Sequence, residues 1–133
     1  MACQCACRSE QIVSLPDADR VVEALRGLGD SAYQERVWGR VDPRTGSYDD
    51  LSLAVHILYD DCQVLPDPTP VVDQVVLPGE VACLRALGAV LGPVIDDLGD
   101  AADKKYLADP RWPAVVAAAA RAHALMSEER AAQ

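Results

Sequence analysis

Three cysteines, Cys3, Cys5 and Cys7, stand at alternate positions near the start of the sequence. Thiolates are preferred ligands of soft metal ions such as Zn²⁺ and Cu⁺, so this run could share a metal. A structural zinc site needs a fourth ligand, and the spacing differs from the C-x₂-C that presents two sulfurs from one turn. The cysteines therefore support two hypotheses: a thiolate metal or redox site, and a thiol-bearing tail without metal.

The sequence also contains three pairs of adjacent aspartates, at 49–50, 60–61 and 96–97. Carboxylates suit Mg²⁺ and Ca²⁺, but no EF-hand spacing accompanies these pairs. Aspartates are also common in solvated turns and helix caps. We therefore predict no cofactor, and the cysteine run remains the one metal hypothesis.

His56 lies among apolar residues in the middle of the chain. A general base needs a partner within hydrogen-bond reach. Asp60 could orient the imidazole only if this stretch is helical, because residues four apart meet on one helix face. The sequence has no phosphate-binding glycine loop, H-E-x-x-H, C-x-x-C or nucleophile elbow. It therefore assigns no catalytic residue and favours a protein that is not an enzyme.

Several aromatic residues stand beside carboxylates, a composition typical of protein-binding surfaces. With 2 Trp, 4 Tyr and no Phe, the alternative is that both tryptophans fill the core. We favour the core for Trp112. The predicted partner-binding edge comprises Trp38, Tyr48, Asp49, Asp50, Tyr59, Asp60 and Asp61.

The formal net charge of −9 limits the classes of partner. Such a chain repels nucleic-acid phosphates and anionic lipid surfaces, so we expect neither nucleic acid nor membrane as a partner. A basic protein surface is the complementary partner. The alternative is that the charge only maintains solubility.

The 133 residues are sufficient for one domain with one core. We expect a flexible, cysteine-containing tail at 1–13 and a single globular domain at 14–133. No apolar run approaches the ~20 residues that span a bilayer, and the first residues form no export signal. The expected location is therefore cytoplasmic, with mostly reduced cysteines. The sequence predicts no particular oligomeric state.

Apolar residues at helical spacing predict three main helices, at about 16–28, 79–98 and 113–129. Two extended segments, at about 36–41 and 50–59, flank a turn signal in which Asp precedes Pro and Gly closes the loop. We therefore predict an α+β fold with a β-hairpin packed on three helices. An all-α bundle is the alternative.

The segment 50–61 decides between these folds. Its odd positions, 51 to 59, are apolar, which favours a strand. A helix would instead place Asp49, Ser52, His56 and Asp60 on one face. However, it would end in two carboxylates at the negative end of its dipole, which costs energy. On these grounds we predict a strand.

Four segments carry a resemblance to known proteins. They are Glu35-Arg36-Val37-Trp38, Tyr48-Asp49-Asp50, His56-Ile57-Leu58-Tyr59-Asp60-Asp61 and Tyr106-Leu107-Ala108-Asp109-Pro110-Arg111-Trp112-Pro113. Together they resemble an uncharacterised family of small acidic actinobacterial proteins, over roughly residues 15–127. The resemblance implies a bacterial origin and a single domain. It implies no activity, cofactor or catalytic residue.

Charge and acidic–aromatic clustering together predict a small protein–protein interaction module that binds a basic partner, as bacterial immunity proteins or inhibitory adaptors do. This comparison with immunity proteins is an analogy at the level of the fold. The alternative hypothesis is a thiolate metal-binding or redox protein that uses the three N-terminal cysteines.

Overall fold

The computed structural model describes the backbone of residues 6–131 and the side chains of residues 17–129. In chain order the elements are α1 (Ala6–Leu28), α2 (Ser31–Val37), β1 (Arg40–Val41), β2 (Tyr48–Asp49), α3 (Leu51–Val55), α4 (Val81–Leu98), α5 (Asp103–Ala108) and α6 (Trp112–Ala131). A π-helical turn, His56–Asp61, continues α3, and short 3₁₀ turns lie at Thr69–Val71 and Pro78–Glu80. The fold is therefore mostly helical, with one small antiparallel hairpin.

The three long helices α1, α4 and α6 form the frame, and α6 packs against both of the others. Each buries an apolar stripe at helical spacing. Fully buried members of these stripes are Val21, Leu25 and Leu28 in α1, Leu84, Leu87, Leu91 and Val94 in α4, and Val115, Ala119, Ala122 and Met126 in α6. The three predicted helices are confirmed.

The predicted strand at 50–59 is wrong, because this segment is helical. Asp50 caps it: the Asp50 carboxylate accepts a hydrogen bond from the Leu53 N–H at 2.9 Å. Burial follows a helical period as well, with Leu51, Ala54 and Leu58 in the core and Leu53 43% exposed. Apolar residues at alternate positions therefore satisfied the strand pattern without forming a strand.

The dipole argument against this helix failed because both terminal carboxylates have partners. Asp60 Oδ2 lies 2.7 Å from His56 Nδ1, and Asp61 Oδ2 lies 2.6 Å from a guanidinium nitrogen of Arg20. These contacts offset the repulsion between the carboxylates and the helix end.

A hairpin is present, but it is shorter than predicted and displaced along the chain. Arg40 pairs with Asp49 and Val41 with Tyr48, so the strands occupy 40–41 and 48–49 rather than 36–41 and 50–59. Residues 36–37 end α2 instead, which Asp30 caps by accepting a hydrogen bond from the Tyr33 N–H. The turn between the strands has the predicted form, because Gly46 closes it with a φ of +73°.

Helix α1 begins at Ala6, so residues 6–13, which we expected in a flexible tail, are helical. Arg, Glu and Gln are good helix formers, and they precede the predicted start at 16. Cys3 and Cys5 lie outside the described residues, as does the side chain of Cys7. The metal hypothesis for these three cysteines therefore stays a prediction.

A buried polar cluster joins α1, α2 and α6. The Gln34 amide donates to the carbonyls of Gly27 and Leu28, both at 2.9 Å, and its oxygen accepts from the Trp112 indole N–H at 2.9 Å. Trp38 packs edge-on against Trp112 with ring centroids 6.3 Å apart. Trp112 is thus a core residue, as predicted.

Candidate functional site

The aromatic members of the predicted binding edge differ in exposure. Trp38 is 6% exposed and Tyr59 is half-buried, so both mainly contribute packing. Tyr48 is 48% exposed, and its hydroxyl donates to Asp50 at 2.8 Å. Of the three predicted aromatic residues, Tyr48 presents the most surface to a partner.

Asp49 and Asp50 have structural partners at the start of α3. Asp49 accepts a hydrogen bond from the Tyr33 hydroxyl at 2.6 Å, and Asp50 is the helix cap. Burial, together with the Asp49 carboxylate, raises the pKa of Tyr33 to about 12. These aspartates add negative charge to the surface, but replacing either one would also disturb the fold.

Asp60 and Asp61 lie at the other end of the same helical segment. An 11-residue helix is about 16 Å long, so the two acidic groups are closer than the two ends of a strand would be. Asp61 points to Arg20 on α1, whereas Asp60 accompanies His56. The structure therefore divides the predicted edge, and Asp60 shares a face with His56.

His56 lines a cleft between α3 and the connection from α4 to α5. The cleft has a volume of about 360 Å³ and is lined by Leu51, Ser52, Val55, His56, Ile95, Gly99, Asp100, Ala101, Asp103 and Tyr106. Its walls are about equally polar and apolar, with two carboxylates and an imidazole among the polar groups. No Lys or Arg is among these lining residues. We call this feature the acidic cleft.

Asp103 connects the acidic cleft to the start of α3, because its carboxylate accepts a hydrogen bond from the Leu51 N–H at 3.2 Å. Burial raises the pKa of Asp103 above its ordinary value of 3.8. The hydrogen bond from Leu51 opposes this shift, and the charges of Asp50 and Asp49 add to it. Ionised Asp103 is thus less stable in the folded chain than in the unfolded one.

Asp103→Asn tests this electrostatic strain. A carboxyl group with a raised folded pKa makes folding less favourable as the pH rises through that pKa. The amide keeps an acceptor for the Leu51 N–H and removes the charge. We therefore expect a higher Tm than that of the parent protein at pH 7, and a difference that disappears below pH 3.8, where both side chains are neutral.

The control is Asp19→Asn, at an exposed α1 position that forms no ion pair among the described residues. Thermal unfolding followed by circular dichroism between pH 3 and pH 7 measures both variants. An unchanged or lower Tm for Asp103→Asn at pH 7 would show that ionised Asp103 does not destabilise the fold.

Sequence reasoning missed Asp100 and Asp103. Asp103 meets Leu51 across 52 positions of the chain, and no local pattern reports such a contact. The available signal was modest: both aspartates follow the glycine that ends a predicted helix. The helical alternative for 50–61 correctly placed Ser52, His56 and Asp60 on one face, but it also included Asp49, which lies in β2 before the helix begins.

Among the described residues, no group of three or more His, Cys, Asp or Glu side chains could hold a metal ion. The described cysteines with free thiols are buried Cys62 and half-buried Cys83. Within the described part of the chain, no helix is both long and apolar enough to cross a membrane.

The fold and the acidic cleft define a small, mostly helical domain with a surface site. The chain belongs to the family described as Domain of unknown function (DUF7945), whose model matches residues 17–133. No curated protein matches the chain significantly. No solved structure matches it either.

Proposed function

We propose that this protein is a protein–protein interaction module that receives a cationic side chain of a basic partner in the acidic cleft. The observation that carries the proposal is the combination of Asp100 and Asp103 with a partly apolar lining that includes no Lys or Arg among the described residues. An arginine or lysine side chain has the matching chemistry, an apolar stem with a charged end.

The electrostatics of Asp103 support the same proposal. Its raised pKa arises from burial and from neighbouring carboxylates, so a cation in the acidic cleft would relieve repulsion as it binds. Arginine is the better candidate, because its planar guanidinium can contact two carboxylates and can pack against the exposed ring of His56. The surrounding charges of Asp50 and Asp60 would steer a basic surface towards the cleft.

A hydrolytic role for His56 has less support. The His56–Asp60 pair is on the surface, with both side chains 63% exposed. Ser52, one turn earlier, forms no hydrogen bond with His56 in the described structure. An exposed pair at positions i and i+4 is an ordinary helix-stabilising contact.

The direct test is an NMR titration of the isotope-labelled protein with N-acetyl-arginine methylamide at low salt. We expect saturable shifts of the amide resonances at 51–56 and 99–106. The citrulline analogue has nearly the same shape without the charge, and it should cause much smaller shifts. Binding should weaken as salt increases, because the attraction is screened.

The matched variants are Asp100→Lys and Glu128→Lys, which change the net charge equally. Glu128 is exposed near the end of α6, about 24 Å from the helix start by helical rise. We expect Asp100→Lys to abolish arginine binding and Glu128→Lys to leave it within about twofold. The same pair should separate specific from general charge effects in a pull-down of basic protein partners. Equal arginine binding by both variants would refute the proposal.

A further inference from the structure

A second groove lies between α2 and the hairpin and is separate from the acidic cleft. Its volume is about 690 Å³, within the usual range for small-molecule sites. The residues of its lining that could recognise a ligand are Tyr33, Arg36, Val37, Arg40, Val41 and Tyr48. We call it the arginine groove.

One wall of the arginine groove is an exposed cross-strand pair. Val41 and Tyr48 face each other in the hairpin and are 62% and 48% exposed. They are two of the few large apolar side chains at the surface of the described residues. Tyr33 and Val37 add apolar surface from α2. The groove can therefore pack against an apolar or aromatic body.

The two arginines of the groove have free guanidinium groups. Arg36 and Arg40 form no ion pair or hydrogen bond with any described residue. Elsewhere in this acidic chain several arginines are paired, such as Arg20 with Asp61 and Arg85 with Asp67. Unpaired arginines that share a groove offer bidentate donors for an anion.

The carboxylates that also line the groove are already engaged within the fold. Asp42 accepts a hydrogen bond from the Arg44 N–H at 2.8 Å in the hairpin turn. Asp49 accepts from the Tyr33 hydroxyl at 2.6 Å and from the Asp50 N–H at 2.9 Å. Their charges remain, however, and they favour a singly charged anion over a doubly charged phosphate.

We propose that the arginine groove binds a small organic carboxylate with an apolar or aromatic body. Arg36 and Arg40 hold the carboxylate, while Val41 and Tyr48 pack against the body. This site is independent of the acidic cleft, and it selects the opposite charge.

The experiment uses 3-phenylpropionate as the probe, with 3-phenylpropionamide and phenyl phosphate for comparison. We expect saturable shifts of amide resonances at 33–49 on addition of the carboxylate, with a millimolar Kd suited to a ligand of this size. The neutral amide should not saturate, and phenyl phosphate should bind more weakly than the carboxylate.

Arg36→Gln and Arg40→Gln should each weaken carboxylate binding about tenfold, the effect of losing one charge-assisted contact. Arg44→Gln is the control, because it removes the same charge from the exposed hairpin turn outside the groove. It should leave the Kd within about twofold. None of the three side chains has a hydrogen bond or ion pair with a described residue, so the Tm should not change.

Three results would overturn the proposal: no saturable carboxylate binding, equal binding of the neutral amide, or an equal loss with Arg44→Gln. Tighter binding of phenyl phosphate would overturn the choice of ligand class. None of these results bears on arginine binding in the acidic cleft, which the titration at 51–56 and 99–106 tests separately.

Discussion

Gln34→Leu is expected to lower the free energy of unfolding by about 3 kcal/mol. Gln34 is 1% exposed, and its amide bonds the buried Leu28 carbonyl and the buried Trp112 indole N–H, together with the part-buried Gly27 carbonyl, which also accepts from the Asp30 N–H. Leucine has a similar size but satisfies none of them. A buried polar group without a partner costs about 1–3 kcal/mol, and these costs are not fully additive. Urea unfolding measures the change.

The matched control is Glu35→Leu, at the next position of α2, where the side chain is exposed. Its effect should stay within about 0.5 kcal/mol. Trp112→Phe completes a double-mutant cycle. The double variant should lose about 1 kcal/mol less free energy of unfolding than the two single variants lose in sum, because both break the same hydrogen bond. If Gln34→Leu lowers the free energy of unfolding no more than Glu35→Leu does, the Gln34 amide does not stabilise the packing of α1, α2 and α6.

Gly29→Ala is expected to lower the free energy of unfolding by about 2–3 kcal/mol, because the added methyl group would overlap backbone atoms. A Cβ at Gly29 would lie 2.8 Å from the nitrogen and 2.9 Å from the Cα of Ala120. A backbone cannot rotate away as a side chain can, so the end of α1 and helix α6 would have to separate. The Tm and the free energy of unfolding should both fall.

For Gly92→Ala we expect the opposite effect on stability from that of Gly29→Ala. Gly92 lies inside α4, directly before Pro93, and no described heavy atom beyond its chain neighbours and the backbone of α4 lies within 4 Å of its added Cβ. Alanine is the better helix former, but a Cβ directly before Pro93 offsets part of this gain, so the free energy of unfolding should rise by less than about 1 kcal/mol. Equal effects at both positions would show that close backbone approach does not govern the response at Gly29.

The sequence predicted the frame well and the segment 36–61 poorly. Apolar residues such as Leu84, Leu87 and Leu91 recur at the helical period over a long segment. Such a segment predicts a helix that tertiary contacts rarely override. The segment from Leu51 is short, and its apolar residues fit periods of 2 and 3.6 about equally. Its helical form depends on caps and on partners for Asp60 and Asp61, including Arg20 from α1.

The candidate sites were less predictable than the fold, because they depend on contacts between distant parts of the chain. The acidic cleft needs Asp103 beside Leu51, and the arginine groove needs α2 folded against the hairpin. The burial of Trp38 also depends on a contact between distant parts of the chain. Its neighbours suggested an exposed edge, but the ring packs against Trp112, which lies far along the sequence.

The hydrogen bond between Gln34 and Trp112 spans 78 positions, and this separation matters during synthesis. A ribosome produces the chain from its N-terminus, so α1 and α4 leave the ribosome before α6. Before α6 emerges, the apolar stripes of α1 and α4 have no α6 to pack against. The core can therefore close only after α6 has emerged, and until then the nascent chain exposes aggregation-prone apolar surface.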